Sequence, residues 1–284
     1  MAPPMKWIIL LFASLACFPR RGAADTTLGP AITKVPVTIT TPGVYHFTTD
    51  LAYTGTTGFA ITVEAIGVVI DLNGHQLFST AGSATLSAGV FCEGYNRFSI
   101  KDGTVLGFEN AVVAVSDGAT VSSLLVVDNF KSGITVIGNN AQISGNRVCN
   151  TGGSTAAGVL SAIGITLTGT YGNVSDNDVQ NTYATDVTSH YGDGILIKGC
   201  SNVVIGNNRV LDVEPATPTK GLSTGIATES SSNLVILGNI ALDTRTGFDL
   251  SGGASGKYGD NTTGSDLINY NSNGSGMTNI GGNN

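Results

Sequence analysis

The sequence predicts an all-β solenoid, a parallel β-helix of about eight or nine coils, and three observations carry that prediction. Short strand-length runs restart at a regular interval, two polar columns keep step with them, and helical periodicity is absent throughout. Composition agrees. With 41 % hydrophobic residues, only 12 % charged ones and abundant Val, Ile and Thr, the 284-residue chain is too apolar for disorder. Its 39 glycines follow no three-residue period, which excludes collagen.

The first element, residues 1–24, reads as a secretory signal peptide. Lys6 precedes the apolar run from Trp7 to Ala16, and Ala23-Ala24 stand before Asp25. That run is too short to span a bilayer, so no integral membrane segment is expected. A second reading places Cys17 at a lipoprotein cleavage site after Ser14-Leu15-Ala16. Secretion follows from either, with the periplasm or a lipid-anchored surface as narrower variants.

Removal of that segment takes Lys6, Arg20 and Arg21, leaving 10 basic residues against 20 acidic ones. So acidic a chain lacks the clustered cations that nucleic acid requires, and no nucleic-acid partner is expected. The sole Trp goes too, so any sugar-stacking surface must be built from Tyr and Phe.

Residues 25–59 are expected to form an N-terminal cap and first coil, covering otherwise unpaired strand edges. From 60 to 262 the repeat is explicit. Strand starts fall at Ala60-Ile61, Gly89-Val90, Ala111-Val112, Gly133-Ile134, Gly164-Ile165, Gly194-Ile195, Gly225-Ile226 and Gly247-Phe248. The steps are 29, 22, 22, 31, 30, 31 and 22 residues, a 22-residue unit with insertions.

Each unit holds three short strands separated by Gly, Asn or Asp turns, none able to bury its apolar side alone. Stacking in parallel piles Ile61, Val90, Val112, Ile134, Ile165, Ile195, Ile226 and Phe248 into one interior row. At roughly 4.8 Å per coil the rod is about 40 Å long.

One polar column, Asn146, Asn177, Asn208, Asn239 and Asn261, is read as a structural amide stack in which each Asn takes the left-handed turn conformation. The other, Asp128, Asn150, Asn181, Asp212 and Asp243, reads as Asx turns. Where Asp212 and Asp243 meet, calcium is a second reading, because hard oxygens suit that ion. Residues 263–284, mostly Gly, Ser, Asn and Thr, are expected to be a tail or C-terminal cap.

These repeats, with their G-I-x-[IV] starts and [IV]-x-x-N turns, resemble the right-handed parallel β-helices of the pectin-lyase-like superfamily. The stretch Thr41-Pro42-Gly43-Val44-Tyr45 through Ile70-Asp71-Leu72-Asn73-Gly74-His75 is similar to the first coil of secreted bacterial members. The resemblance implies fold more than function, because the superfamily includes lyases, hydrolases, adhesins and members without known activity. It also implies a polysaccharide groove beside the sheet formed by the Gly-Ile strands.

The insertions, at 76–88, 150–163, 181–193 and 212–224, all fall at one corner of the coil. Insertions on one face of a solenoid are often its binding surface. The last three are expected to stand side by side as a wall carrying Tyr183, Asp186, His190, Tyr191, Asp193, Glu214 and Lys220, with Lys198, Glu229 and Asp249 on outward strand positions. Resemblance to polygalacturonases implies a catalytic role for Asp193, which precedes Gly194-Ile195, and His190 and Lys198 are candidate proton-transfer groups.

Two expectations are at odds with hydrolysis and lyase chemistry. A glycosidase needs paired carboxylates, whereas the positions matching Asp193 on other coils are Ala88, Asn110, Ser132, Ile163, Thr224 and Thr246. A lyase needs a base plus a cation for the uronate, and only Lys198, His190 and Arg245 are available. The expected activity is contact with extracellular polysaccharide or cell-surface glycan, by binding or by cleavage. The alternative is a structural or adhesive spacer using its outward row, Thr62, Phe91, Val113, Thr135, Thr166, Leu196, Ala227 and Asp249. Nothing in the sequence fixes an oligomeric state.

Cys92, Cys149 and Cys200 lie on coils too far apart to bridge: two coil steps are roughly 9.6 Å, beyond the approximately 7 Å Cα limit of a disulfide. All three are expected to be free thiols.

Overall fold

A computed structural model describes residues 29–159, 161–184, 191–214, 222–264 and 266–284, and in it every named element is a β-strand. The segment read as a signal peptide lies outside the described residues. Ten strands pair in one parallel sheet, here the first sheet: Val37–Ile39, Thr57–Val63, Leu86–Glu93, Asn110–Val115, Ser132–Ile137, Ala162–Thr168, Tyr191–Lys198, Leu222–Glu229, Thr246–Gly252 and Ile268–Asn271. The remaining eighteen strands form the second sheet, in which each second or third strand of a coil pairs in parallel with its counterparts on neighbouring coils. The molecule is a parallel β-helix.

The registers match the sequence reading at each step of the interior row. Ile61 pairs with Val90, Val90 with Val112, then Ile134, Ile165, Ile195, Ile226 and Phe248 in turn. All are fully buried. At roughly 1.5–3 kcal/mol for each buried aliphatic or Phe side chain, these stacked rows are the main stabilising term.

Ten coils exceed the eight or nine expected. The ends supply them: Val37–Ile39, in the segment read as cap and first coil, pairs in register with Ile61–Val63, and Ile268–Asn271, in the segment read as tail or C-terminal cap, pairs with the strand before it. Residues 263–284 therefore continue the solenoid. Their polar composition hid this, because an end coil has fewer inward positions to fill.

The Gly-Ile starts have a steric cause. Pairing skips the glycine, so that Asp193 faces Thr224 and Ile195 faces Ile226, and a Cβ on Gly194 would stand 2.2 Å from Val210 Cγ1 and 2.7 Å from the Gly225 carbonyl. The chain bends there with two consecutive residues toward the interior. Asp193 is thereby turned to the outer face, where strict alternation would have sent it inward with Ile195.

The Asn ladder forms with one correction. The left-handed conformation belongs to the preceding residue (Gly145, Asp176, Asn207, Gly238 or Asp260), not to the ladder Asn. This frees each buried amide to bond along the axis. The backbone N–H and Nδ2 of Asn177 both donate to Asn208 Oδ1, at 3.0 and 2.9 Å, and the pattern extends through Asn239 and Asn261 to Asn283. The second column is left-handed and partly stacked, with Asn150 Nδ2 donating to Asp128 Oδ1 at 2.9 Å and Asn181 Nδ2 to Asn150 Oδ1 at 2.8 Å. Asp128, Asn150, Asn181, Asp212 and Asp243 all have φ between 52° and 56°.

Candidate functional site

The outward face of the first sheet carries an open cavity of about 470 Å³, lined by Asp193, Thr224, Glu229, Arg245, Thr246, Asp249, Ser251 and Asn271 among others. Four residues anticipated from sequence line it, Asp193, Glu229, Arg245 and Asp249, and Lys198 is paired with Glu229 beside it. Asp193, Glu229 and Asp249 come from three successive strands of this sheet, and Arg245 immediately precedes the third.

Asp193, bent outward at Gly194, is 7 % exposed. Desolvation pushes its carboxyl up to about 7, Glu229 and Asp249 add like-charge repulsion, and a hydrogen bond to Thr224 and the Lys198 charge oppose them. Near neutrality it therefore holds a proton much of the time. Lys198 Nζ meets Glu229 at 2.7 Å across adjacent coils.

Asp249 is held differently. Its Oδ1 accepts from the Ser251 N–H at 3.0 Å, the Ser251 hydroxyl at 2.6 Å and Asn271 Nδ2 at 3.1 Å. An extra residue bulges this strand, since Ala227 pairs with Asp249 but Glu229 with Gly252. Bulges re-aim side chains, here bringing the Asp249 loop under Glu229. Arg245 borders the cavity, its N–H donating to Ser223 Oγ at 3.0 Å.

The sequence reading looked for partner acids in the column of Asp193 and found none. The structure supplies them from other columns, one and two coils away. Thr224, Ser251 and Asn271 were missed; the pairing of Asn271 with Asp249 in register was the available signal.

Other expected site residues lie elsewhere. Tyr183 and Glu214 pair with each other on third strands of the second sheet and line neither cavity described here; the Tyr183 ring covers Gly153. Asp186, His190 and Lys220 lie outside the described residues, as does the side chain of Tyr191. Asp212 and Asp243 are exposed residues of left-handed φ within the strands Arg209–Glu214 and Ile240–Thr244, and among the described residues no group of three or more His, Cys, Asp or Glu is arranged to hold a metal ion.

The expected wall differs where it is described. The 150–163 insertion reaches back to the 76–88 insertion, with Thr155 N–H donating to the Ser83 carbonyl at 2.9 Å and their hydroxyls 3.1 Å apart. The two intervening coils carry no insertion, so the long loops meet over them. Beside this bridge a second cavity, about 440 Å³, opens on the same sheet face among Phe59, Leu86, Phe91, Asn110, Lys131, Ser132 and Thr135. Phe59 and Phe91 stack there, centroids 4.1 Å apart and planes 5° from parallel.

Comparison with known proteins settles the family. The right handed beta helix region matches residues 88–284, more than half of the sequence. The chain belongs to the right-handed β-helix family. Solved structures agree on the fold of this β-helix protein. The Dettilon tailspike protein is similar at a TM-score of 0.57 and 15 % identity, over 89 % of this chain and 59 % of the tailspike, so the β-helix spans less than two thirds of that protein. An alginate lyase from Paenibacillus sp. str. FPU-7 is similar at 0.56 and 15 %, over 80 % of this chain and 87 % of the lyase. A point mutant of the periplasmic alginate epimerase AlgG is similar at 0.52 and 13 %, over 86 % and 71 %. Comparison with curated proteins gives no match.

Proposed function

We propose that this is a secreted β-helix protein that binds an extracellular polysaccharide along the first sheet and hydrolyses it at Asp193. The observation that carries the reading is the divergence of environments in one cavity: a buried carboxyl raised to about 7 beside two carboxylates on neighbouring coils. Carboxyl groups pushed apart in this way supply the acid and the base of glycoside hydrolysis. Two of the solved structures of this fold are named for alginate, which supports a polysaccharide as the ligand.

In this reading Asp193 gives its proton to the glycosidic oxygen as the carbon–oxygen bond breaks. Asp249, oriented by Ser251 and Asn271, takes a proton from the water that attacks the anomeric carbon. Lys198 pairs with Glu229 at the rim. A lyase would instead need a cation to meet the uronate, and Lys198 is already bound to Glu229.

The test is a panel of neutral and acidic polysaccharides, scored for new reducing ends and for unsaturated products. Hydrolysis predicts reducing ends without unsaturation, lost by at least about 100-fold in Asp193→Asn and in Asp249→Asn. Unsaturated products would identify a lyase, and binding without cleavage would leave a glycan-binding protein.

A further inference from the structure

We infer that the Phe59–Phe91 pair is a second, non-catalytic sugar subsite, and that the chain running from it to Asp193 is an uncharged oligosaccharide. The inference rests on the hydrolytic reading of the same sheet face.

The first observation is the platform itself. Phe59 is 38 % exposed although it is aromatic and sits on a strand, and its ring is braced from behind by Phe91. An exposed aromatic face next to the hydroxyl and amide groups of Asn110, Ser132 and Thr135 offers a sugar ring what it needs: a flat apolar surface for its C–H face and partners for its edge. The two insertions that bring Leu86 and Ile163 to this cavity are hydrogen-bonded to each other at Ser83 and Thr155, which reduces the ordering cost of binding.

The second observation is charge. Lys131, which lines this cavity, is engaged by Glu109 at 3.3 Å, and Lys198 is engaged by Glu229. The outward row between the two cavities, from Val113 through Thr135, Thr166 and Leu196 to Ala227, contains no charged residue. A polyuronate lying there would bring one carboxylate per ring to a surface whose lysines are already paired, and would then meet the three acids Asp193, Glu229 and Asp249 against one cation, Arg245. A neutral chain meets no such penalty.

The third is distance. In register, Phe91 leads to Val113, Thr135, Thr166 and Leu196, four coil steps or about 19 Å, and Leu196 lies three residues beyond Asp193 on its strand. One pyranose unit is about as long as one coil step. A chain must therefore reach roughly pentasaccharide length before it can touch the platform and present a bond to Asp193 together.

Binding is measured by calorimetry with neutral cello-, manno-, malto- and xylo-oligosaccharides, from disaccharide to octasaccharide, and with an oligomannuronate ladder of the same lengths. In the wild type, affinity for one neutral series is expected to rise about tenfold as length passes the pentasaccharide. Phe59→Ala and Phe91→Ala lose that rise and leave short ligands unaffected, and Phe59→Tyr, which keeps the ring, retains it. Equal length dependence in wild type and Phe59→Ala overturns the platform, even where reducing ends are still released and the hydrolytic reading stands. Tighter binding of oligomannuronate, or no binding of any neutral series, overturns the uncharged ligand. Loss of reducing-end release by the wild type on all substrates is the separate failure of the hydrolytic reading.

Discussion

Lys198 and Glu229 stand opposite one another in register on adjacent coils, their charged groups 2.7 Å apart at the mouth of the Asp193 cavity. Both side chains are about half exposed, so the pair contributes at most about 1 kcal/mol to folding. Its effect falls on Asp193, which Glu229 raises and Lys198 lowers. Lys198→Ala is therefore expected to move the alkaline limb of the pH–activity profile upward, and Glu229→Gln to move it downward. Shifts in the same direction would show that the limb does not report Asp193.

Stability should carry the same proton. The carboxyl of Asp193 rises from 3.8 in the unfolded chain to about 7 when folded, because burial disfavours its charge. Between these values the folded protein holds a proton that the unfolded chain has released. Stability attributable to this site consequently falls as pH rises through that window, and the full cost is present above it. Thermal melts from pH 4 to 8 are expected to show the wild type losing Tm relative to Asp193→Asn. Parallel curves for the two proteins would place the carboxyl in water.

The fold was legible because its signals repeat. Each interior Ile or Val has a copy one coil away, so the register of the first sheet could be read from spacing alone. The last coil was not legible, because Ile268–Asn271 lacks the Gly-Ile start, and the first was placed within 25–59 without a register for Val37–Ile39. The site was legible as a set of residues but not as a cluster. Asp193, Glu229 and Asp249 occupy different columns, and what brings them together is the bend at Gly194 and the bulge after Asp249, each a departure from the repeat that spacing arguments follow. The Phe59–Phe91 stack escaped notice for a similar reason: Phe59 pairs with Ala88, and its ring reaches diagonally to Phe91.

The Asn ladder should be strongest at its centre. Asn208 Oδ1 accepts two bonds from Asn177, and Asn208 Nδ2 donates to the Val174 carbonyl at 2.8 Å and to Asn239 at 2.9 Å. Asn208→Ala strands buried donors on Asn177 and the Val174 acceptor, at roughly 1–3 kcal/mol for each unsatisfied group. A loss of about 3–5 kcal/mol is expected. Asn283→Ala removes the acceptor for Asn261 at the open end and an exposed bond to Asn279, and should cost less than about 2 kcal/mol. Denaturant melts that rank the two variants equally would mean that the ladder does not act as a connected column.

The three described cysteines are free in the structure, as their coil spacing requires. They differ in reactivity. Cys92 is buried in the second interior row, its Sγ bonded to the Tyr95 carbonyl, and burial pushes the thiol up to about 11. Burial likewise raises Cys200, which points at the Leu167 carbonyl at 3.2 Å. Cys149 is half-buried beside Arg147, whose charge partly opposes the same desolvation. A protein beginning at Asp25 should therefore expose three reactive thiols when unfolded. In the native state one, Cys149, should react with an aromatic disulfide reagent well before the others, and Cys149→Ser should remove that fast phase alone. Finding a single titratable thiol in the unfolded chain would require a bridge between coils, and with it a different stacking register.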